Sequence, residues 1–247
     1  MQMTRLMWDM PITVSLPGIA DEEAARGIYA YFSEVDNRFS TFKASSEISQ
    51  INRGELPQDR WSKDMHDVMS LCADTERQTG GYFSYTHSGY IDPLGVVKGW
   101  AVQRAADMLL ARGIHDFYID AGGDIAVHGA NQHGVPWRVG IRNPFARDQI
   151  VKRLILTDAG IATSGTYIRG QHIVNPFAPR TRLTDIVSLT VVGPNVAEAD
   201  RFATAAFAMG RRGIFFIESL PGFEGYQIDS QGKAMATSGL GQFLCMP

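Results

Sequence analysis

The chain has 247 residues, enough for one large domain or two intimate lobes. With 45% hydrophobic and 20% charged residues it has the balance of a folded protein with a real core, and a formal net charge of −3, with 23 basic residues in no long cluster, argues against nucleic acid or an anionic membrane as the main partner. No apolar run is long enough to span a bilayer, and Met1-Gln2-Met3-Thr4-Arg5-Leu6-Met7 lacks the h-region and cleavage site of a secretory signal, so the expected location is the cytoplasm unless an export signal was removed.

Residues 12–16 read as a strand after Pro11. Asp21 is placed to cap a helix whose apolar positions Ala25, Ile28, Phe32 and Val35 keep to one face. Ser62 caps a second helix, with Met65, Val68, Met69 and Cys72 at i, i+3, i+4 and i+7 and Gly80-Gly81 at its end. A third begins near Lys98, stops at Gly113 and turns Ala101, Ala105, Met108 and Leu109 inward. Strands are expected over 117–121, 125–127, 137–141, 153–156, 160–163 and 186–192, then helices over 198–209 and 212–219, the latter stopped by Pro221. Strands over 223–228 and 233–237 bracket the turn Asp229-Ser230-Gln231-Gly232. Helices cluster early and strands in the middle, which is an α+β pattern. No G-x-G-x-x-G follows a strand, which weakens a Rossmann reading. Cys72 and Cys245 have neither disulfide-framework nor zinc spacing and read as two free thiols.

Five places have side chains suited to chemistry. Asp200 and Thr204 lie one helical turn apart on one face, where they can serve a hard cation or simply suit a helix start. In Asp92-Pro93-Leu94-Gly95-Val96-Val97-Lys98-Gly99, Asp92 can accept from a base or ribose, and Gly95 can offer its carbonyl to a metal. Lys98 falls in the expected first turn, where an anion in front of it, or plain solvation, accounts for it. His172 carries a group that titrates near neutrality and can move a proton, or it is structural. Gly122-Gly123-Asp124 and Thr163-Ser164-Gly165 sit at strand ends, where turn formation and ligand approach are both served.

In order and spacing these segments resemble the ApbE family, the FAD:protein FMN transferases, nearly end to end. The resemblance takes in Met7-Trp8-Asp9-Met10-Pro11, Phe39-Ser40-Thr41-Phe42, Thr79-Gly80-Gly81-Tyr82-Phe83, Asp92 through Trp100, Ala121-Gly122-Gly123-Asp124-Ile125, Thr163-Ser164-Gly165-Thr166-Tyr167, His172-Ile173 and Ala199-Asp200 with Ala203-Thr204. It implies a single domain over 1–247 of an α+β, ApbE-like (T-fold-related) kind, with mixed sheets, flanking helices and FAD in a cleft between two intimate lobes. It also implies Mg2+-dependent cleavage of FAD, with FMN passing to a threonine or serine hydroxyl in the flavinylation motif of an acceptor flavoprotein and AMP leaving. By the same resemblance Gly95, Asp200 and Thr204 match metal ligands. Met7, Phe42, Phe83, Ser84, Tyr85, Asp92, Lys98, Gly123, Thr163 and Ser164 match cofactor contacts, and His172 matches the residue needed for transfer.

The chain departs from the family pattern at three places. Asn175 stands where His-x-x-Asp-Pro has aspartate, Ser84 where aspartate is common, and Phe42 where tyrosine is common. The family's lipoprotein signal is not seen. Two rival readings follow: a hydrolase splitting FAD to FMN and AMP, and a flavin-binding protein without turnover.

Overall fold

The computed structural model describes every residue except 20–21, 88, 167–172 and 246–247, and all but the side chain of 147. The expected cap Asp21 and the histidine His172 fall outside the described residues.

In chain order the elements are β1 (Gln2–Met7), β2 (Met10–Ser15), α1 (Glu22–Phe39), α2 (Glu47–Asn52), α3 (Lys63–Gln78), β3 (Thr86–His87), β4 (Tyr90–Ile91), α4 (Leu94–Ala111), β5 (Phe117–Ala121), β6 (Asp124–His128), β7 (Trp137–Asn143), β8 (Ala146–Leu156), β9 (Ala159–Gly165), β10 (Ile186–Gly193), α5 (Val196–Ala208), α6 (Gly213–Glu218), β11 (Glu224–Asp229) and β12 (Ala234–Ala236). Eight strands make one sheet in the order β1-β2-β5-β6-β9-β10-β11-β12, while β3-β4 and β7-β8 are separate hairpins. All the described ladders are antiparallel.

The sheet has a different cover on each face, as strand alternation requires. On one face Ile12, Val14, Phe117 and Ile119 meet Ile28 and Phe32 of α1, Met65 and Val68 of α3, and Val102 and Leu109 of α4. Further along that face, Leu189 and Val191 of β10 pack against Phe202, Ala203 and Phe207 of α5 and Ile217 of α6. The opposite face is covered by the β7–β8 hairpin, whose Trp137, Val139, Ile141 and Leu154 pack on Ile125, Ile161 and Tyr226. The Trp137 indole N–H donates to the His128 carbonyl (3.0 Å), fastening the hairpin to the end of β6.

Local signals explain the starts and stops. Ser62 Oγ accepts from the Met65 N–H (3.1 Å), and Gly80 and Gly81 take positive φ just past α3. Asn195 Oδ1 caps α5 by accepting from Glu198 N–H (2.9 Å), so that helix begins two residues before the expected start. The larger correction is α4, which begins at Leu94 rather than near Lys98. Asp92 Oδ1 accepts from the Leu94 N–H (3.0 Å) and Pro93 takes the N-cap position, a turn that launches the helix early. Lys98 therefore lies in the second turn, and its placement needs another explanation than the helix dipole.

Candidate active site

Two glycines one turn apart, Gly95 and Gly99, let α4 and α5 cross closely. A Cβ on Gly99 would stand 2.5 Å from Asp200 Cβ and 2.9 Å from the Val196 carbonyl oxygen. One on Gly95 would stand 2.8 Å from the Phe83 ring and 3.5 Å from Thr204 Cγ2. The missing side chains bring Asp200 and Thr204 against the start of α4. The Gly99 N–H donates to Asp200 Oδ2 (2.8 Å), which fixes the carboxylate's orientation.

The crossing forms one wall of a cleft of about 410 Å³. Phe42, Phe83, Ser84, Asp92, Gly95, Lys98, Thr163, Ser164, Asp200 and Thr204 all line it, so ten of the residues singled out in sequence are assembled from segments far apart in the chain. Phe42 stands at the rim with 93% of its surface exposed, whereas Phe83 is 3% exposed and forms a wall. The Phe83 N–H is held by Thr79 Oγ1 (3.1 Å). Thr163 Oγ1 and Thr190 Oγ1 share a hydrogen bond (2.8 Å) across β9 and β10. Ser84 Oγ donates to the Thr86 carbonyl (3.3 Å).

Met7, Tyr85 and Gly123 are not brought onto the cleft walls. Met7 ends β1 and packs against the first core. Tyr85 stacks on Phe83, ring centroids 6.4 Å apart, behind the wall, and burial raises its hydroxyl above the ordinary tyrosine value, helped by Glu76 and Cys72. Gly122 reaches the cleft instead of Gly123, whose N–H is tied to Asp120 Oδ1 (2.7 Å).

Lys98 shows what sequence reasoning missed. Its Nζ contacts Oδ2 of Asp124, a carboxylate only 1% exposed at the start of β6, and lies 3.8 Å from Asp200 Oδ1. The anion in front of the lysine is thus a protein carboxylate pair. In sequence Asp124 belongs to a segment that serves a turn or the approach of a ligand, and its place beside two glycines at a strand end gives no sign that it is buried against a cation. Tyr82 was likewise passed over as a wall residue, although it lies in a segment that carried the resemblance. Its ring meets Phe177 edge-on at 4.9 Å, and its hydroxyl accepts from Arg212.

The donor set suits a hard cation. Asp200, Thr204 and Gly95 line the same cleft, and they carry a carboxylate, a hydroxyl and a backbone carbonyl, all oxygen donors. An oxygen site with so few protein ligands leaves room for the phosphates of a substrate.

Residues 8–92 and 86–227 match the model of the ApbE family. The chain is 34% identical over 167 residues to the FAD:protein FMN transferase of Vibrio cholerae serotype O1, covering 63% of this chain and 50% of that protein. It is 29% identical over 157 residues to the FAD:protein FMN transferase of Salmonella typhimurium, covering 60% and 45%. The matched stretch is thus about half the length of these curated relatives. Among solved structures, the flavin transferase ApbE from Vibrio cholerae superposes with a TM-score of 0.84 at 24% identity, covering 99% of both chains. The ApbE protein from Thermotoga maritima superposes at 0.87 and 18% identity, covering 100% of this chain and 99% of that one. These two likenesses show the α+β fold.

Proposed function

The chain belongs to the ApbE family, and from that premise we propose that it is a Mg2+-dependent transferase that moves FMN from FAD to a threonine or serine hydroxyl of an acceptor flavoprotein. The acceptor oxygen attacks the phosphorus on the FMN side of the pyrophosphate. A new P–O bond forms there, the P–O bond to the bridging oxygen breaks, and AMP leaves with that oxygen. The proton of the acceptor hydroxyl passes to a base, for which His172 is our assignment by resemblance.

The carrying observation is the α4–α5 crossing, which sets Asp200 beside Gly99 and Thr204 beside Gly95 on the wall of the cleft. These three would hold Mg2+, which supplies charge neutralisation at the phosphates during phosphoryl transfer. Lys98 adds a fixed positive charge on the same wall, held in place by Asp124. Asp92, already accepting from Leu94 N–H through Oδ1, keeps its other oxygen for the nucleotide. Phe42 and Phe83 offer rings to the flavin or the adenine. Thr163 and Ser164 line the cleft from the end of β9.

The test incubates the purified protein with FAD, Mg2+ and an acceptor flavoprotein. The acceptor is expected to gain the mass of FMN less water while AMP appears in equal amount, and EDTA is expected to stop both. AMP without a mass gain would identify an FAD pyrophosphatase, and FAD retained without AMP a carrier; either result overturns the transferase reading.

A further inference from the structure

We propose that the groove between the open edge of β7 and the sheet is the docking track of the acceptor polypeptide, which lies there as an added strand with an acidic side chain on Arg138 and Arg142. The proposal rests on the transfer reaction proposed above and names where its second substrate binds.

Three observations carry it. The first is continuity. A groove of about 220 Å³ runs beside the reaction cleft and shares Gly122 and Thr163 with it, so a chain lying in the groove delivers its next residues to the cleft.

The second is backbone valence. Among the described residues β7 pairs only with β8. The Arg153 carbonyl of β8 accepts from Cys245 N–H (3.0 Å), so it points away from β7. Gly140 stands opposite Arg153, and in an antiparallel ladder the two form the pair that exchanges no hydrogen bonds. Gly140 therefore directs its N–H and C=O to the open edge, and Arg138, two residues back, does the same. The consecutive residues 138–142 all line the groove, as expected where a strand presents its edge. An unpaired edge is the template for β-strand addition.

The third is charge. Arg138 and Arg142 are exposed on the groove, and neither guanidinium is in an ion pair among the described residues. Asp120, the acidic residue that lines the groove from β5, already accepts from the Gly123 N–H (2.7 Å) and the Tyr118 hydroxyl (3.2 Å). Two unpaired guanidiniums flanking an open strand edge suit a segment that carries a carboxylate, which arginine binds through its planar fork.

The probe is a fluorescein-labelled peptide of about ten residues, long enough at roughly 3.3 Å per residue to follow the edge into the cleft. It has one threonine and two aspartates, and a control peptide replaces the aspartates with asparagines. Titrated into the whole protein with FAD and Mg2+, the aspartate peptide is expected to bind about tenfold more tightly than the control, the worth of two rim charge pairs. R138Q/R142Q is expected to erase that difference while FAD binding, read by flavin fluorescence, stays as it was. Methylating alternate peptide amides is expected to abolish binding in one phase of the alternation and spare it in the other, which a purely electrostatic contact would not do. Equal affinity of the two peptides, or methylation effects without phase, overturns the proposal. So does weakened FAD binding in R138Q/R142Q, which would assign the arginines to the dinucleotide. So does a dimer that R138Q/R142Q dissolves, because the edge would then belong to a second copy of the chain. Peptide binding as expected with no FMN transferred to any acceptor keeps the groove and removes the transfer reaction instead.

Discussion

Lys98 and Asp124 are the pair on which the charge of the site depends. Asp124 is almost wholly buried, and its Oδ2 faces the lysine. Removing one partner of a buried ion pair leaves the other desolvated and unpaired, which typically costs about 3–5 kcal/mol. Lys98→Met is therefore expected to lower urea stability by roughly that amount, and adding Asp124→Asn to recover the part due to Asp124, while buried Asp200, whose Oδ1 lies 3.8 Å from Lys98 Nζ, stays without the lysine. A double variant no more stable than Lys98→Met would show that the two residues are not energetically coupled. At a second residue, burial pushes the Cys72 thiol well above its ordinary value, with Asp92 and Glu76 adding to the effect. A native thiol that resists ionisation should ignore iodoacetamide while the half-exposed Cys245 reacts, and one adduct per native chain is expected at mildly alkaline pH. The linkage sign follows from the same shift. Above about pH 8.5 the unfolded chain ionises its Cys72 thiol while the folded chain keeps the proton, so this group's contribution to stability falls as pH rises. A Cys72→Ala variant should show a flatter alkaline decline in chemical stability.

Helix α4 shows how an element can be misread for a physical reason. Glycine and proline signal a break, so the sequence pattern places a loop at Asp92-Pro93-Leu94-Gly95 and the helix start near Lys98. Yet the proline occupies the N-cap, Gly99 faces α5 too closely for a side chain, and Gly95 leaves room for the Phe83 ring. Substituting alanine tests this directly. Alanine normally gains about 1 kcal/mol over glycine inside a helix. At Gly27 of α1 a Cβ would meet only Arg112 Nη2 at 3.8 Å, so Gly27→Ala is expected to stabilise by about that much. At Gly99 the Cβ would collide with Asp200 and with the Val196 backbone, so Gly99→Ala is expected to destabilise by about 1–3 kcal/mol and to weaken metal-dependent FAD binding. Thermal melts of the two variants moving in the same direction would dismiss the close-crossing explanation. The other elements hidden from sequence share one cause, the lack of a period to read. β1 is an edge strand exposed along most of its length, α2 has six residues, and β3 and β4 have two each. Ser62 with the apolar spacing of α3, and the alternation of β5, were legible because cap and pattern agreed. Within the site, residue types and their order were legible, and the cleft gathers ten of them. What one-dimensional reading did not supply was direction: which of two adjacent glycines faces the cleft, and that Lys98 turns towards Asp124.

The three apolar clusters meet around the cleft, and this governs how the whole molecule should respond to ligands. Phe83 and the α4 side of the wall belong to the first cluster, Ala199 and Ala203 beside the α5 residues to the third, and Ile161 just ahead of Thr163 to the second. A dinucleotide and cation bound against α4 and α5 would thus add ties between parts already joined by the sheet ladders and by the Gly99 N–H to Asp200 hydrogen bond. Ligand that binds only the folded state adds about 2.7 kcal/mol at a hundred times its dissociation constant, and in a chain of this size each kcal/mol moves the melting temperature by about 2–4 °C. Saturating FAD with Mg2+ is therefore expected to raise the melting temperature by roughly 5–10 °C, with FAD alone giving clearly less. Asp200→Asn removes the carboxylate's charge while keeping a group that can accept from Gly99 N–H. Its apo melting temperature should stay near that of the parent, but the increment due to Mg2+ should vanish and turnover should fall by about a hundredfold or more. Differential scanning fluorimetry with and without EDTA reads the first effect, and AMP release reads the second. An undiminished Mg2+ increment in Asp200→Asn would move the cation elsewhere in the molecule, and with it the centre of the proposed chemistry.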